Sequence, residues 1–381
     1  MESKAERDFR LDFCRGLALI VIFIDHVPGN PVASWTLRNF GFCDAAEVFV
    51  LISGISAYLA FGSKLERLGF AACAKAVGRR WRTVYVAHLV LLAGLWAAAM
   101  LASRHFQATD YVAFLKLQWF QESPRQALLS ALTLSYLPKY LDILPLYLVL
   151  LAAAPLLLAL VKRDWRLAIA VSGGIYLAAW FSGVNLVEGK DGQGWYLNPL
   201  AWQFLYTIGM VAGHLSKTAP ARLPWSGRWL WMALAFIAFG FVAAAPWNLT
   251  GMVSFYPPFY LWPADKTFLA PLRLLNVLAF FYVFAFFVRP QAPLLRARLA
   301  APLLWAGRHS LPVYAVSVVL SSAGYVAVVE GDGAPIVHVA VNFVGIAILL
   351  ALATILERYR AARGQPPIAK TSMMVRREAA V

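Results

Sequence analysis

The chain has 381 residues, 61% of them apolar by type and 14% charged, with a net charge of +15. Soluble domains run near ~45–50% apolar and ~25% charged, so this composition excludes a soluble protein of two or three domains, a disordered chain and a disulfide-stapled one. What remains is an all-α, polytopic integral membrane helical bundle, in which a basic excess reports first on the two faces of the bilayer and not on nucleic acid.

A membrane-spanning helix needs about 20 apolar residues. Runs of that kind fall at about 11–28, 44–62, 83–102, 140–161, 167–183, 198–214, 229–247, 268–288, 301–325 and 336–357, which predicts ten spans. The first contains Asp12, Arg15, Asp25 and His26 and is followed by no small-residue cleavage site. It reads as a retained helix, not a signal peptide. Pro28-Gly29-Asn30-Pro31 must end it. Residues 103–139 form the longest outer loop. Their aromatic and amphipathic stretches (Phe106, Tyr111, Phe114, Trp119, Phe120) lie on the membrane surface or cap the helices. The aromatic segment 255–262 reads as an interfacial belt.

Ten spans put both termini on one side. The terminal segments and the alternate loops 63–82, 162–166, 215–228 and 289–300 carry 24 Lys and Arg, against seven in the opposite loops. That asymmetry predicts cytoplasmic termini. It divides the chain into one ten-helix domain, residues 1–360, and a basic, disordered cytoplasmic tail, 361–381. Cys14, Cys43 and Cys73 fall at separate depths, so no disulfide framework is expected. A phosphate loop, a Cys/His metal pattern and a Gly-x-Ser-x-Gly elbow are absent from the sequence, so no metal is expected.

Ionisable groups inside spans are costly and face a protein interior or a wet cavity. Here they concentrate early: Asp12, Arg15, Asp25 and His26 in the first span, then Asp44 and Glu47 opening the second. Asp142 opens the fourth, and Arg273 and Arg308 lie in the eighth and ninth. Arg15 and His26 are eleven positions apart, close to three helical turns and roughly 16 Å on one face. A cation therefore sits low and an imidazole high, a layout suited to a donor entering from inside and an acceptor waiting outside. Arg15 is equally placed to pair with Asp12 at i,i+3. Asp25, Glu47 or Asp142 could orient the imidazole. Arg79, Arg80 and Arg82 precede the third span, where guanidinium forks bind phosphate or serve as topology anchors.

These residues resemble a known family. Arg10 to Leu19, followed by Ile24-Asp25-His26-Val27-Pro28-Gly29-Asn30, is similar to the start of OpgC-type proteins of the acyltransferase-3 superfamily, marked by an Arg and a His with ten residues between them in the first span. The likeness continues through Asp44 to Val50, Ser53-Gly54, Arg79-Arg80-Trp81-Arg82 with Tyr85 and His88, Leu141 to Tyr147, Asn198 to Gln203, and Arg273 to Asn276. The stretch Thr83 to Val86 lacks the Pro common after the arginine cluster, and Arg308 to Leu311 matches only loosely.

The resemblance implies transfer of an acyl group, typically succinyl from succinyl-CoA, to a hydroxyl of a periplasmic glucan, by a multi-pass protein of the bacterial inner membrane. Arg79, Arg80 and Arg82 would then bind coenzyme A phosphates, with Arg15 along the pantetheine arm. His26 would be the general base or carry the acyl group covalently. Arg273 would meet the succinyl carboxylate, with Asp44 and Trp202 among the substrate contacts. The rival readings are a transporter or flippase of a glycan or lipid-linked intermediate, and O-acetylation of another surface polysaccharide.

Overall fold

The computed structural model describes residues 8–106, 109–220, 225–244 and 265–364. The aromatic segment 255–262 and all but the first four residues of the expected tail lie outside the described residues. In chain order the helices are α1 (Phe9–His26), α2 (Ala45–His105), α3 (Tyr111–Phe114), α4 (Trp119–Glu122), α5 (Pro124–Leu132), α6 (Ile143–Arg163), α7 (Trp165–Ser182), α8 (Pro199–Thr218), α9 (Gly227–Ala244), α10 (Pro271–Phe287), α11 (Pro293–Arg296), α12 (Ala301–Arg308), α13 (Ser310–Glu330) and α14 (Pro335–Ala362). Among the described residues the one β pairing is an isolated bridge between Val187 and Gly194.

The ends of the helices follow from local chemistry. Asp8 caps α1 by accepting the Arg10 amide, and Asp44 and Glu47 form a reciprocal capping box at the start of α2. Beyond α1, Asn30 donates to the Ile24 carbonyl and exchanges amide hydrogen bonds of 2.9 Å with Asn342 of α14. The segment that ends the first helix is thereby fastened to the last one.

Each expected apolar run overlaps a helix, and α2, α6, α13 and α14 are long and apolar enough to cross a membrane by length and composition. Two expectations change. Residues 63–82, read as a loop, are helical except at Gly69, where a φ of 79°, open to glycine, breaks α2 into two helices joined end to end. Cys73, expected in that loop, is buried, and all three cysteines are unpaired. The run 301–325 is broken in two at His309, between α12 and α13.

The described helices divide into two interlocked sets. α2 packs on α8 and α6, while α1 packs on α12 and α13. Both sets use glycine for close backbone approach, the device by which helices associate in lipid. A Cβ on Gly54 would stand 2.1 Å from the Tyr206 carbonyl oxygen, and one on Gly209 2.3 Å from that of Leu51. The loop expected at 103–139 folds into α3, α4 and α5. Tyr111 and Trp119 are buried there, and Phe114 stacks on Tyr325 of α13 at 3.8 Å. It therefore caps the bundle.

Candidate active site

The crossing of α1 and α12 builds one end of the site. Gly16 and Gly307 let the two backbones touch, and their neighbours Arg15 and Arg308 are brought together as a result. Arg15 donates to the Gly307 carbonyl at 3.3 Å and to Ser56 Oγ of α2 at 2.5 Å, and its guanidinium lies 3.6 Å from Asp12. Arg308 donates to Glu357 of α14 at 2.8 Å, and the other oxygen of Glu357 lies 3.0 Å from His309 Nε2. The helix break at His309 is what turns both side chains toward the same buried carboxylate.

Arg15 and Arg308 line a cavity of about 300 Å³ together with Arg80. Ser53, Ser56, Ser310, Tyr147 and Tyr314 contribute hydroxyl groups to its wall. Asp12 and Glu357 answer two of the three cations. Among the described residues Arg80 has no ion-pair partner. The cavity thus holds a cation in excess and a ring of hydroxyl donors, which suits an anion.

The three arginines of the sequence cluster do not face the same way. On a helix, positions 79 and 82 share a face that position 80 leaves. Accordingly Arg79 and Arg82 are exposed, while Arg80 is half-buried and turned into the cavity. Between them Trp81 is anchored through its Nε1 to the Leu148 carbonyl and stacks on Tyr85.

His26 lies at the far end of α1, partly exposed, with its ring 4.6 Å from that of Tyr140. The Tyr140 carbonyl in turn accepts a hydrogen bond of 2.8 Å from the hydroxyl of Tyr314, which lines the arginine cavity. Two tyrosines therefore connect the cavity wall to the imidazole. Nδ1 of His26 is buried and has no hydrogen-bond partner among the described residues.

Of the three carboxylates expected to orient that ring, two are engaged elsewhere. Asp25 accepts from Thr36 at 2.6 Å and lies 3.8 Å from Arg38. Glu47 pairs with Arg273 at 2.6 Å and accepts the Asp44 amide. Asp142 opens α6 without a side-chain capping bond. Among the described residues none of the three hydrogen-bonds the imidazole. The charges whose field reaches His26 are Lys266, Asp44 and Arg38.

Two expected substrate contacts are held by groups of the protein itself. Arg273 is clamped by Glu47 at 2.6 Å and Asp44 at 3.3 Å, and Lys266 binds the same Asp44 at 2.6 Å. A guanidinium already holding two carboxylates has little left for a third. Trp202 is fully buried, and its indole N–H is spent on the carbonyls of Lys266 and Thr267 at 3.0 and 3.2 Å. A ring with no accessible face cannot stack on a sugar. It pins the segment that carries Lys266.

Sequence reasoning missed the cavity's Tyr147, Tyr314, Ser56 and Ser310, and the partnership of Arg308 with Glu357. The one available signal was the motif stretch Leu141 to Tyr147. The remainder depends on which helices cross, which periodicity does not report.

A comparison with protein-family models finds a match over residues 7–361 to the family described as OpgC protein. No curated protein matches the chain.

Proposed function

The chain belongs to the OpgC protein family, and on that premise we propose that it is a membrane O-acyltransferase moving a succinyl group from succinyl-CoA to a hydroxyl of a periplasmic glucan. The family points to a glucan-modifying acyltransferase. The donor, the base and the two sides of the membrane are our reading. The reading also takes the chain to be a ten-span protein of the acyltransferase-3 superfamily in the bacterial inner membrane, both termini cytoplasmic, with residues 1–360 as one domain.

The observation that carries it is the arginine cavity joined to His26 through Tyr314 and Tyr140. Arg15, Arg308 and Glu357 sit toward helix ends, and Arg80 in the stretch 63–82, that the distribution of Lys and Arg assigns to the cytoplasm. Coenzyme A is a cytoplasmic anion. The cavity is at the small end of ligand pockets, which run ~300–1,000 Å³, so it suits the pantetheine arm and a phosphate, with the nucleotide outside. Arg80 would hold a phosphate oxygen, with Arg79 and Arg82 adding long-range attraction at the surface.

The acyl thioester would then stand at His26, on the periplasmic side. The imidazole takes the proton of a glucosyl hydroxyl as its oxygen attacks the thioester carbon. The carbon–sulfur bond breaks, and the proton passes to the leaving thiolate to give coenzyme A thiol.

The test is mass spectrometry of periplasmic glucans from cells with and without the protein. Succinyl increments that depend on the chain are expected. Unmodified glucan in both would overturn the acceptor. Acetyl increments instead of succinyl would overturn the acyl group.

A further inference from the structure

A succinyl group ends in a second carboxylate, and an inference about where it sits rests on the reaction proposed above. That carboxylate needs a cation near the imidazole. Arg273 and Lys266 are taken by Asp44 and Glu47, and Arg38 sits against Asp25.

Lys139 differs from all three. Its Nζ lies 3.6 Å from the ring centre of Phe114 and 5.4 Å from that of Tyr140. Among the described residues no carboxylate stands within ion-pair distance of it. Burial and then the neighbouring Lys116 hold the ammonium below the ordinary lysine range, so the position gains from an added negative charge. Aromatic faces can hold a cation in a poorly hydrated site, and a carboxylate brought to it adds a charge-assisted hydrogen bond.

The backbone around Lys139 is built for position. Tyr140 and Lys116 have φ of 70° and 55°, a left-handed region that residues with a Cβ hold only when their surroundings impose it. Three hydrogen bonds impose it here: the Lys139 amide to the Leu115 carbonyl at 3.1 Å, the Tyr136 hydroxyl to the Lys116 carbonyl at 2.5 Å, and the Tyr314 hydroxyl to the Tyr140 carbonyl at 2.8 Å. The same Tyr140 ring that faces the Lys139 ammonium lies 4.6 Å from His26.

We propose that Lys139 is the specificity-determining residue for the acyl chain, its ammonium receiving the distal carboxylate of a dicarboxylic acyl donor while the thioester carbonyl stands at His26. The ring-centre distances of 5.4 and 4.6 Å put the ammonium no more than about 10 Å from the imidazole centre. An extended four-carbon diacid spans about 4 Å between its carboxyl carbons. The remainder accommodates the acceptor hydroxyl at the imidazole and an ammonium–carboxylate contact of about 2.8 Å.

The experiment compares succinyl-CoA with acetyl-CoA as donors for the full-length protein in proteoliposomes with glucan, reading kcat/KM from coenzyme A release. Lys139→Met should lower the succinyl-to-acetyl ratio of kcat/KM by about 10- to 100-fold, the loss of one hydrogen bond to a charged group. Lys139→Arg should keep most of the preference. Lys139→Gln is read in the same way as Lys139→Met and replaces it if that variant aggregates. An unchanged ratio, or a wild-type protein indifferent to the two donors, would overturn the role of Lys139 and leave the acyltransferase reading standing. No coenzyme A release by the wild-type protein from either donor would overturn both.

Discussion

Gly16 of α1 and Gly307 of α12 lie backbone against backbone: a Cβ on Gly16 would meet the Leu303 carbonyl oxygen at 2.0 Å, and one on Gly307 would meet that of Asp12 at 1.8 Å. Both glycines are followed or preceded by an arginine of the cavity, so a packing feature sets a functional distance. Because the obstructing atoms are backbone, the helices must move apart to admit a methyl group. Gly307→Ala is expected to destabilise the protein by about 1–3 kcal/mol or more and to raise the KM for the donor, since Arg15 and Arg308 separate with their helices. Thermal unfolding in detergent and donor saturation curves check both effects.

The three arginines of residues 79–82 should separate in their effects. Arg80→Ala removes the cavity's uncompensated cation and is expected to raise donor KM about 10- to 100-fold, the range of a hydrogen bond to a charged group. Arg79→Ala and Arg82→Ala remove exposed charges, worth about 0–1 kcal/mol, and should shift KM by only a few-fold. Equal effects at all three positions would mean that the cluster works as one phosphate clamp.

Glu357 is buried between Arg308 and His309. Glu357→Ala leaves the Arg308 cation in a poorly solvated site without its anion, and removing one partner of a buried pair costs about 3–5 kcal/mol. The expected outcome is a lower melting temperature, with donor affinity falling alongside it. Double substitution with Arg308→Met should recover much of the stability and none of the donor affinity. Failure to recover stability would place the value of Glu357 outside this pair.

Trp202→Phe preserves most of the buried volume and deletes the N–H that holds the Lys266 and Thr267 carbonyls. A loss of stability of about 0.5–1.5 kcal/mol is expected from the lost hydrogen bond, since both carbonyls keep a backbone N–H partner, with the KM for glucan little changed. A large rise in glucan KM at unchanged stability would restore the sugar-stacking role.

Hydropathy located the helices because lipid demands long apolar runs. It failed where polar residues continue a helix, as at 63–82, where Lys64, Arg67 and Lys75 looked like loop and are the exposed side of α2. It also failed at His309, where Pro312, close behind Arg308-His309-Ser310, marks the first turn of a new helix inside a run that reads as apolar. Within the site, Arg15 and His26 were legible because their spacing alone sets a shared helical face. The direction of Arg80 needed the knowledge that residues 70–82 are already helical, beyond the kink at Gly69. The capture of Arg273 by Asp44 and Glu47, and the burial of Trp202, are long-range pairings between distant segments. Local pattern is silent on them, so both residues looked available for substrate. Lys139 was counted only as a loop charge, and its place over Phe114 follows from the folding of α3 against α13.

The claim on which the account turns is that His26 removes the proton of the acceptor hydroxyl. It is tested by purified wild-type protein and His26→Ala in proteoliposomes supplied with succinyl-CoA, recording coenzyme A release with and without glucan. Glucan-dependent release is expected from the wild type and release at background from His26→Ala, with the variant's melting temperature close to that of the wild type. Near-normal glucan-dependent turnover by His26→Ala would contradict it.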